Sequence, residues 1–160
     1  MFWHVSLILF QTFYMARIKI ELPEPFYFSC IIPLRITDIN YGGHVGNDTV
    51  LSVIHEARMQ YFKHLGYTEM NFAGTGMIMA DVAIEFKSEL FYDDAVIVDV
   101  KAGEISKVGF DLFYKLGVIR EMPGDKIILV AAAKTGMICY DYKKKKIVAV
   151  PEAGKQKLLG

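Results

Sequence analysis

The order of apolar and polar positions along the chain predicts one long helix. Between residues 47 and 65, apolar side chains recur at three- and four-residue intervals, which places them on one helical face. These residues are Val50, Ile54, Ala57, Tyr61 and Leu65. The polar residues Ser52, Glu56, Gln60 and Lys63 fall on another face. Gly66 follows the last apolar position and marks the end of the helix. The pattern therefore predicts a mostly buried helix with one solvent-exposed edge.

The other apolar segments predict β-strands, because β-branched and aromatic residues dominate them. The predicted strands cover residues 26–36, 77–86, 95–105, 109–118 and 126–140. Pro33 predicts an edge or a bulge in the first strand. A turn at 122–125, which contains Pro123 and Gly124, joins the last two strands. One strand, one helix and four strands with short connections predict an α+β fold, in which an antiparallel sheet of about five strands wraps the helix.

The chain is predicted to contain one domain, over residues 26–160, after an N-terminal extension and lead-in over residues 1–25. The apolar stretch 1–14 is too short to span a bilayer, and it lacks the basic region and cleavage site of a signal peptide. Three interpretations stay open for it. The segment could form an additional strand or helix packed on the domain, an interfacial membrane anchor, or an upstream extension with Met15 as the natural start.

Composition and charge narrow the class of protein. Of the 160 residues, 53% are apolar, and 18 basic residues balance 18 acidic ones, which argues against a disordered chain and against a generic nucleic-acid-binding protein. A high apolar share without net charge also favours burial between subunits, as a homodimer or homotetramer. Cys30 and Cys139 lie in apolar runs without metal-ligand spacing, so we expect reduced thiols, no metal site and a cytoplasmic location.

A polar loop, residues 38–47, leads directly into the helix. Its glycines, Gly42, Gly43 and Gly46, let the backbone approach a ligand. Free N–H groups at a helix N-terminus attract anionic oxygen, and an acyl oxygen fits there as well as a phosphate. The spacing matches neither a phosphate-binding loop nor a dinucleotide fingerprint.

The loop and helix together resemble a known signature. Asp-x-Asn-x-x-Gly-His-Val-x-Asn, followed by His-Glu-Ala-Arg, is similar to the motif of hotdog-fold acyl-CoA thioesterases of the 4-hydroxybenzoyl-CoA thioesterase type. That motif usually reads Asp-x-Asp-x-x-Gly-His-Val-Asn-Asn and then Glu-x-Ala-Arg. Segments 84–87, 91–94, 139–141 and 150–151 also resemble the family, so the similarity covers roughly residues 31–151. It implies a hotdog fold and hydrolysis of an acyl-CoA or acyl-carrier thioester without a metal or redox cofactor.

The residue types and this resemblance together select the candidate site residues. The catalytic candidates are Asp38, Asn40, His44 and Glu56, and the substrate-binding candidates are Gly43, Val45, Asn47 and Asp48. The second Asp of the family motif is commonly the working carboxylate, and this chain has Asn40 there. We therefore expect Asn40 to orient the thioester or water while His44 or a nearby carboxylate acts as base.

Structural roles compete with each of these functional ones. Asp38 is equally suited to fixing the loop by accepting backbone N–H bonds. Asn47 and Asp48 are suited to capping the helix. Glu56 is suited to pairing with a basic neighbour. We assign His55, Arg58 and His64 to the helix surface or an interface. Lys143 to Lys146 form either a solvated turn or a contact for coenzyme A phosphates.

Two other functions stay open. Asp38, Asn40 and His44 loosely resemble the Asp-x-Asn-Pro-x-His motif of hotdog enoyl hydratases, but here one residue is inserted and the proline is absent. A non-catalytic acyl-CoA-binding module is favoured by the asparagine at position 40.

Overall fold

The computed structural model describes residues 17–120 and 126–160. Its elements, in chain order, are β1 (Phe28–Pro33), a 3-10 turn (Ile36–Asp38), α1 (Asn47–His64), β2 (Gly76–Phe86), β3 (Ala95–Ile105), β4 (Gly109–Ile119), β5 (Ile127–Asp141), β6 (Lys146–Ile147) and α2 (Glu152–Leu159). The N-terminal stretch 1–14 and the turn predicted at 122–125 lie outside the described residues.

The strands form one antiparallel sheet in the order β1-β3-β4-β5-β2, and β6 pairs with β5. The inner faces of the central strands pack against α1, where Val98, Leu112 and Ala133 of the sheet and Ile54 and Phe62 of the helix are all fully buried. The predicted α+β architecture is confirmed. Pro33 ends the edge strand β1, as its missing N–H predicts.

The C-terminus of α1 follows the sequence signal closely. The helix ends at His64, and Gly66 takes a φ of +83°, which a residue with a side chain rarely adopts. The Gly66 N–H donates to the Lys63 carbonyl over 3.0 Å, and the Tyr67 N–H donates to the Phe62 carbonyl over 2.8 Å. These two bonds satisfy carbonyls that the helix leaves free, as in a Schellman motif.

The start of α1 differs from the prediction. Gly46 is the N-cap, with extended backbone angles, and no side chain makes a capping hydrogen bond there. Asn47 and Asp48 are the first two helical residues, so the predicted capping role is wrong for both. Asp48 contributes only its negative charge in the first turn, where the helix dipole favours it.

The C-terminal helix α2 was not predicted from the sequence. Pro151 precedes it, and Leu158 is buried. A Cβ atom added at Gly154 would lie 2.6 Å from a ring carbon of Phe72, so the glycine lets the helix approach that ring. α2 therefore closes the end of the core at which α1 finishes.

Arg58 is buried, which corrects its assignment to the helix surface or an interface. Its side chain is 5% exposed, and its Nε donates to Glu69 Oε1 over 2.5 Å. The other oxygen of Glu69 lies 3.2 Å from Nε2 of His55, whose side chain stays exposed. A guanidinium leaves water only when its charge and donors are satisfied, so the partner on the 65–76 connection determines which way Arg58 points.

We predict that Glu69→Ala will destabilise the fold strongly, because it leaves the buried Arg58 without its carboxylate. The expected loss is about 3 kcal/mol in the free energy of unfolding, measured by urea denaturation. The control is Glu152→Ala, which removes an exposed partner 3.8 Å from Lys155 and should cost no more than about 1 kcal/mol. Equal losses for the two variants would contradict the structural role of Arg58.

Candidate active site

The loop before α1 is short and is held together by backbone hydrogen bonds. Ile39 and Val45 form an isolated antiparallel bridge. Inside it, the Asn40 N–H donates to the His44 carbonyl over 2.9 Å, and the Gly43 N–H donates to the Asn40 carbonyl over 3.1 Å. The loop thus has a defined backbone, and His44 leaves it immediately before the helix.

Asn40 and His44 are in contact through their side chains. The Gly42 N–H donates to Asn40 Oδ1 over 2.7 Å, and a backbone N–H can only donate, so the amide oxygen must be at that position. Asn40 Nδ2 consequently faces His44 Nε2, 3.4 Å away, while His44 Nδ1 lies 3.4 Å from the Gly42 carbonyl. Both histidine contacts are satisfied if the proton is on Nδ1 and Nε2 accepts from the amide. Both ring nitrogens of His44 therefore face polar atoms of the loop.

Gly42 makes this contact possible. A Cβ atom at position 42 would lie 2.8 Å from His44 Cε1 and 3.1 Å from Asn40 Oδ1. Gly43 is glycine for a different reason, because its φ is +78° and no atom comes within 4 Å of the added Cβ. One glycine leaves room for the histidine ring, and the other permits the turn.

His44 and Asn47 line a cavity of about 300 Å³ at the N-terminus of α1. Its apolar wall consists of Val45, Val50, Phe86, Leu90 and Val130, and its polar side includes Lys87, Ser88 and Glu89. Asn47 begins α1 at this cavity, and its backbone N–H has no acceptor among the described residues, as expected in a first helical turn. Thr49 instead lines the groove against β1. An apolar wall beside a free donor suits a small acyl group with a polar carbonyl.

The structure separates the other two catalytic candidates from this cavity. Asp38 and Glu56 line a second groove of about 290 Å³, between β1 and the exposed flank of α1. Asp38 Oδ2 accepts the Arg35 N–H over 2.7 Å, which is the loop-pinning contact weighed above. Glu56 Oε1 accepts from Gln60 Nε2 over 2.8 Å. Of the substrate-binding candidates, Val45 lines the His44 cavity, whereas Gly43 and Asp48 are exposed beside it.

The β2–β3 connection forms the wall that sequence reasoning missed. Arg120 holds it, because Nη2 donates to the Glu89 carbonyl over 2.7 Å and to Asp94 Oδ2 over 2.8 Å. Burial raises the pKa of Asp94, but the bonds from Arg120 and the Phe91 N–H outweigh it and bring that pKa below its ordinary value. Ser88 and Glu89 fall between the two segments that resemble the family, so no motif marked them.

The lysine run lies far from His44 within one chain. Lys143 to Lys146 follow β5, and the Asp141 carboxylate accepts the N–H groups of Lys143 and Lys144, each over 2.9 Å. Val130, on the cavity wall, precedes Asp141 by 11 residues (141 − 130) of the same strand, which corresponds to roughly 35 Å. Within a single chain, the lysines are therefore a turn at the opposite end of the sheet.

Two kinds of feature are absent from the part of the chain that the structure describes. No group of three or more His, Cys, Asp or Glu side chains is placed to hold a metal ion. Within residues 17–120 and 126–160, no helix has the length and hydrophobicity that a membrane crossing needs.

Several solved structures share this fold. A hypothetical protein from Aquifex aeolicus is 23% identical, with a TM-score of 0.72 over 82% of this chain and 99% of its own. A 1,4-dihydroxy-2-naphthoyl-CoA thioesterase from Synechocystis is 18% identical, with a TM-score of 0.72 over 82% and 95%. An aspartate-to-asparagine mutant of 4-hydroxybenzoyl-CoA thioesterase, complexed with 4-hydroxybenzoyl-CoA, is 15% identical, with a TM-score of 0.72 over 82% and 97%. These likenesses confirm the predicted hotdog fold.

No curated protein matches the sequence. The family model of the thioesterase-like superfamily matches residues 34–158, which include the loop, α1, every strand from β2 onwards and most of α2. The predicted family is thereby confirmed, and the chain belongs to the thioesterase-like superfamily.

Proposed function

We propose that this protein hydrolyses an acyl-CoA thioester to the free acid and CoA. The observation that carries the proposal is the cavity at the N-terminus of α1, where His44 and an apolar wall meet Asn47, whose backbone N–H has no acceptor among the described residues. That donor suits the oxyanion that forms when water attacks a thioester carbonyl. Membership of the thioesterase-like superfamily and similarity to two CoA thioesterases support the same chemistry.

Each part of the cavity has a role in this reaction. The side formed by Val50, Phe86 and Leu90 holds the acyl group by excluding water from it. The first turn of α1 donates to the carbonyl oxygen as negative charge develops there. Asn40 and His44 position the thioester or the attacking water at the rim. No step requires a metal or a redox cofactor.

The rival functions make different demands on the site. A binding module needs only affinity for the thioester, and an aspartate-to-asparagine mutant of 4-hydroxybenzoyl-CoA thioesterase is solved in complex with 4-hydroxybenzoyl-CoA. A hydratase would add water to a crotonyl-type substrate. A thiol-release screen over short, long and aromatic acyl-CoAs separates these functions, because only the thioesterase releases CoA from them.

We predict that Asn40→Ala and His44→Ala each lower kcat about a hundredfold on the best substrate, with little change in Tm. Each variant removes one partner of the contact between the two side chains. Asn40→Asp should keep or raise kcat, because a carboxylate still accepts the Gly42 N–H and adds an acceptor opposite His44. Unchanged kcat in both alanine variants would show that the reaction occurs elsewhere.

Comparing Gly42→Ala with Gly43→Ala distinguishes an effect on the position of the His44 side chain from an effect on the stability of the loop. Gly42→Ala should lower kcat roughly ten- to a hundredfold at nearly constant Tm, because the new methyl group displaces the His44 ring. Gly43→Ala should lower Tm and leave kcat unchanged, because the substitution strains the backbone but its new methyl group contacts no side chain. Steady-state kinetics and thermal melts on both variants check this, and the reverse split would contradict the assignment of His44 to the site.

We also propose that the protein is at least a homodimer, joined through β2. Among the described strands, β2 pairs with β5 alone, and Met79, Val82 and Phe86 are 39%, 39% and 48% exposed. Val82 lies opposite the fully buried Thr135, so it belongs to the inner face, which α1 leaves uncovered here. A second copy would cover both this stripe and the strand edge.

An edge-to-edge dimer would place substrate sites near the interface. When β2 pairs antiparallel with its copy, the Gly76 end of one strand lies beside the Phe86 end of the other. The Tyr142 hydroxyl donates to the Met77 carbonyl over 3.2 Å, which ties the lysine run to the Gly76 end. The lysines of one copy would then approach the His44 cavity of the other, within reach of CoA phosphates. A homotetramer is compatible with this arrangement.

Val82→Lys should convert the protein to a monomer, because it buries a charge in the apolar contact. Light scattering at micromolar concentration measures the mass, and Ile119→Lys, at a side chain that is 56% exposed on the central strand β4, is the control that keeps the wild-type mass. A monomeric wild type would refute the proposed dimer.

We further propose a cytoplasmic location. Cys30 and Cys139 are both free, and burial raises the pKa of the Cys30 thiol to about 11, which keeps it unreactive. Unpaired structural thiols of this kind suit a reducing compartment.

A further inference from the structure

We infer that Glu89 supplies the catalytic carboxylate that the asparagine at position 40 cannot supply. This inference rests on the proposed thioesterase function and deepens it, because it names the general base. Thioester hydrolysis needs a group that takes a proton from the attacking water, and an amide cannot serve. The base must therefore be found elsewhere in the cavity.

The groups nearest to the loop are already engaged. Nε2 of His44 faces the Asn40 amide and its Nδ1 faces the Gly42 carbonyl, so neither nitrogen is directed at the cavity as a free base. Asp38 accepts a backbone N–H, and Glu56 accepts from Gln60. Both of these carboxylates also line the groove against β1 rather than the His44 cavity.

Glu89 is the carboxylate that shares the cavity with His44. Its side chain forms no ion pair or hydrogen bond with any residue in 17–120 or 126–160, whereas the neighbouring Lys87 pairs with Glu85. Its oxygens are therefore available to bind water.

The backbone on both sides of this side chain is fixed. The Glu89 carbonyl accepts from Arg120 Nη2 over 2.7 Å. The next carbonyl, that of Leu90, accepts the Val45 N–H over 2.9 Å and so joins this wall directly to the loop that carries His44. Glu89 thus sits on a wall whose distance from the N-terminus of α1 is fixed by a hydrogen bond, as a general base requires.

The step balances without any further reactant. The Glu89 carboxylate takes a proton from water as the water oxygen bonds to the thioester carbon, and the carbonyl oxygen becomes an oxyanion held by the Asn47 N–H. The carbonyl re-forms, the carbon–sulfur bond breaks, and the leaving thiolate takes the proton from the Glu89 carboxylic acid. The products are the free acid and the thiol, and the carboxylate is restored.

The test is kcat of Glu89→Gln, measured by thiol release on the best acyl-CoA of the panel. We expect a fall of about a hundredfold or more with KM and Tm nearly unchanged. Glu89→Asp should retain part of the activity, because it keeps a carboxylate in the cavity. Glu104→Gln, an exposed glutamate on β3 outside this cavity, is the matched control and should leave kcat unchanged.

The outcomes distinguish this inference from the proposed function. A wild type that releases no thiol from any acyl-CoA overturns both. An active wild type whose Glu89→Gln variant keeps its kcat overturns the role of Glu89 alone. A large loss of kcat in Glu56→Gln or Asp38→Asn, with Glu89→Gln unaffected, assigns the base to the β1 groove and also overturns it.

Discussion

The candidate site depends on the hydrogen bond that joins Val45 to Leu90. Val45 immediately precedes the N-cap of α1, and Leu90 lies in the connection between β2 and β3. Their 2.9 Å backbone contact brings together two segments that are 45 residues apart (90 − 45). Because α1 packs on the central strands, the bond fixes the positive end of the helix dipole against the wall of the cavity.

The chemistry of the site follows from this junction. The loop contributes His44, the helix contributes an unpaired N–H group, and the β2–β3 connection contributes apolar and acidic side chains. Arg120, at the end of β4, secures that connection through Asp94 and the Glu89 carbonyl. The loop, α1, the end of β2 with the following connection, and β5 therefore line one cavity, and Arg120 secures the connection from outside it.

The sequence predicts those structural features that are determined by residues close together in the chain. The period of α1, the positive φ of Gly66 and the edge position of Pro33 each follow from a residue and its near neighbours. The burial of Arg58 and the position of Glu89 at the cavity cannot be predicted in this way, because each depends on a segment brought close by folding. The burial of Arg58 depends on Glu69, which lies outside the helix, and an acidic residue in a turn carries no sign of the cavity beside it.

The asparagine at position 40 shows why the loop motif alone does not identify the residue that activates water. The amide at position 40 accepts the Gly42 N–H through Oδ1 and places Nδ2 3.4 Å from Nε2 of His44, so it joins both residues in one network of contacts. An amide cannot take a proton from water, so position 40 itself offers no general base. The inference that Glu89 is the base assigns this role to the facing wall of the cavity. Under that inference, the loop and the first turn of α1 bind the carbonyl, while the residue that activates water comes from a different element of the same fold.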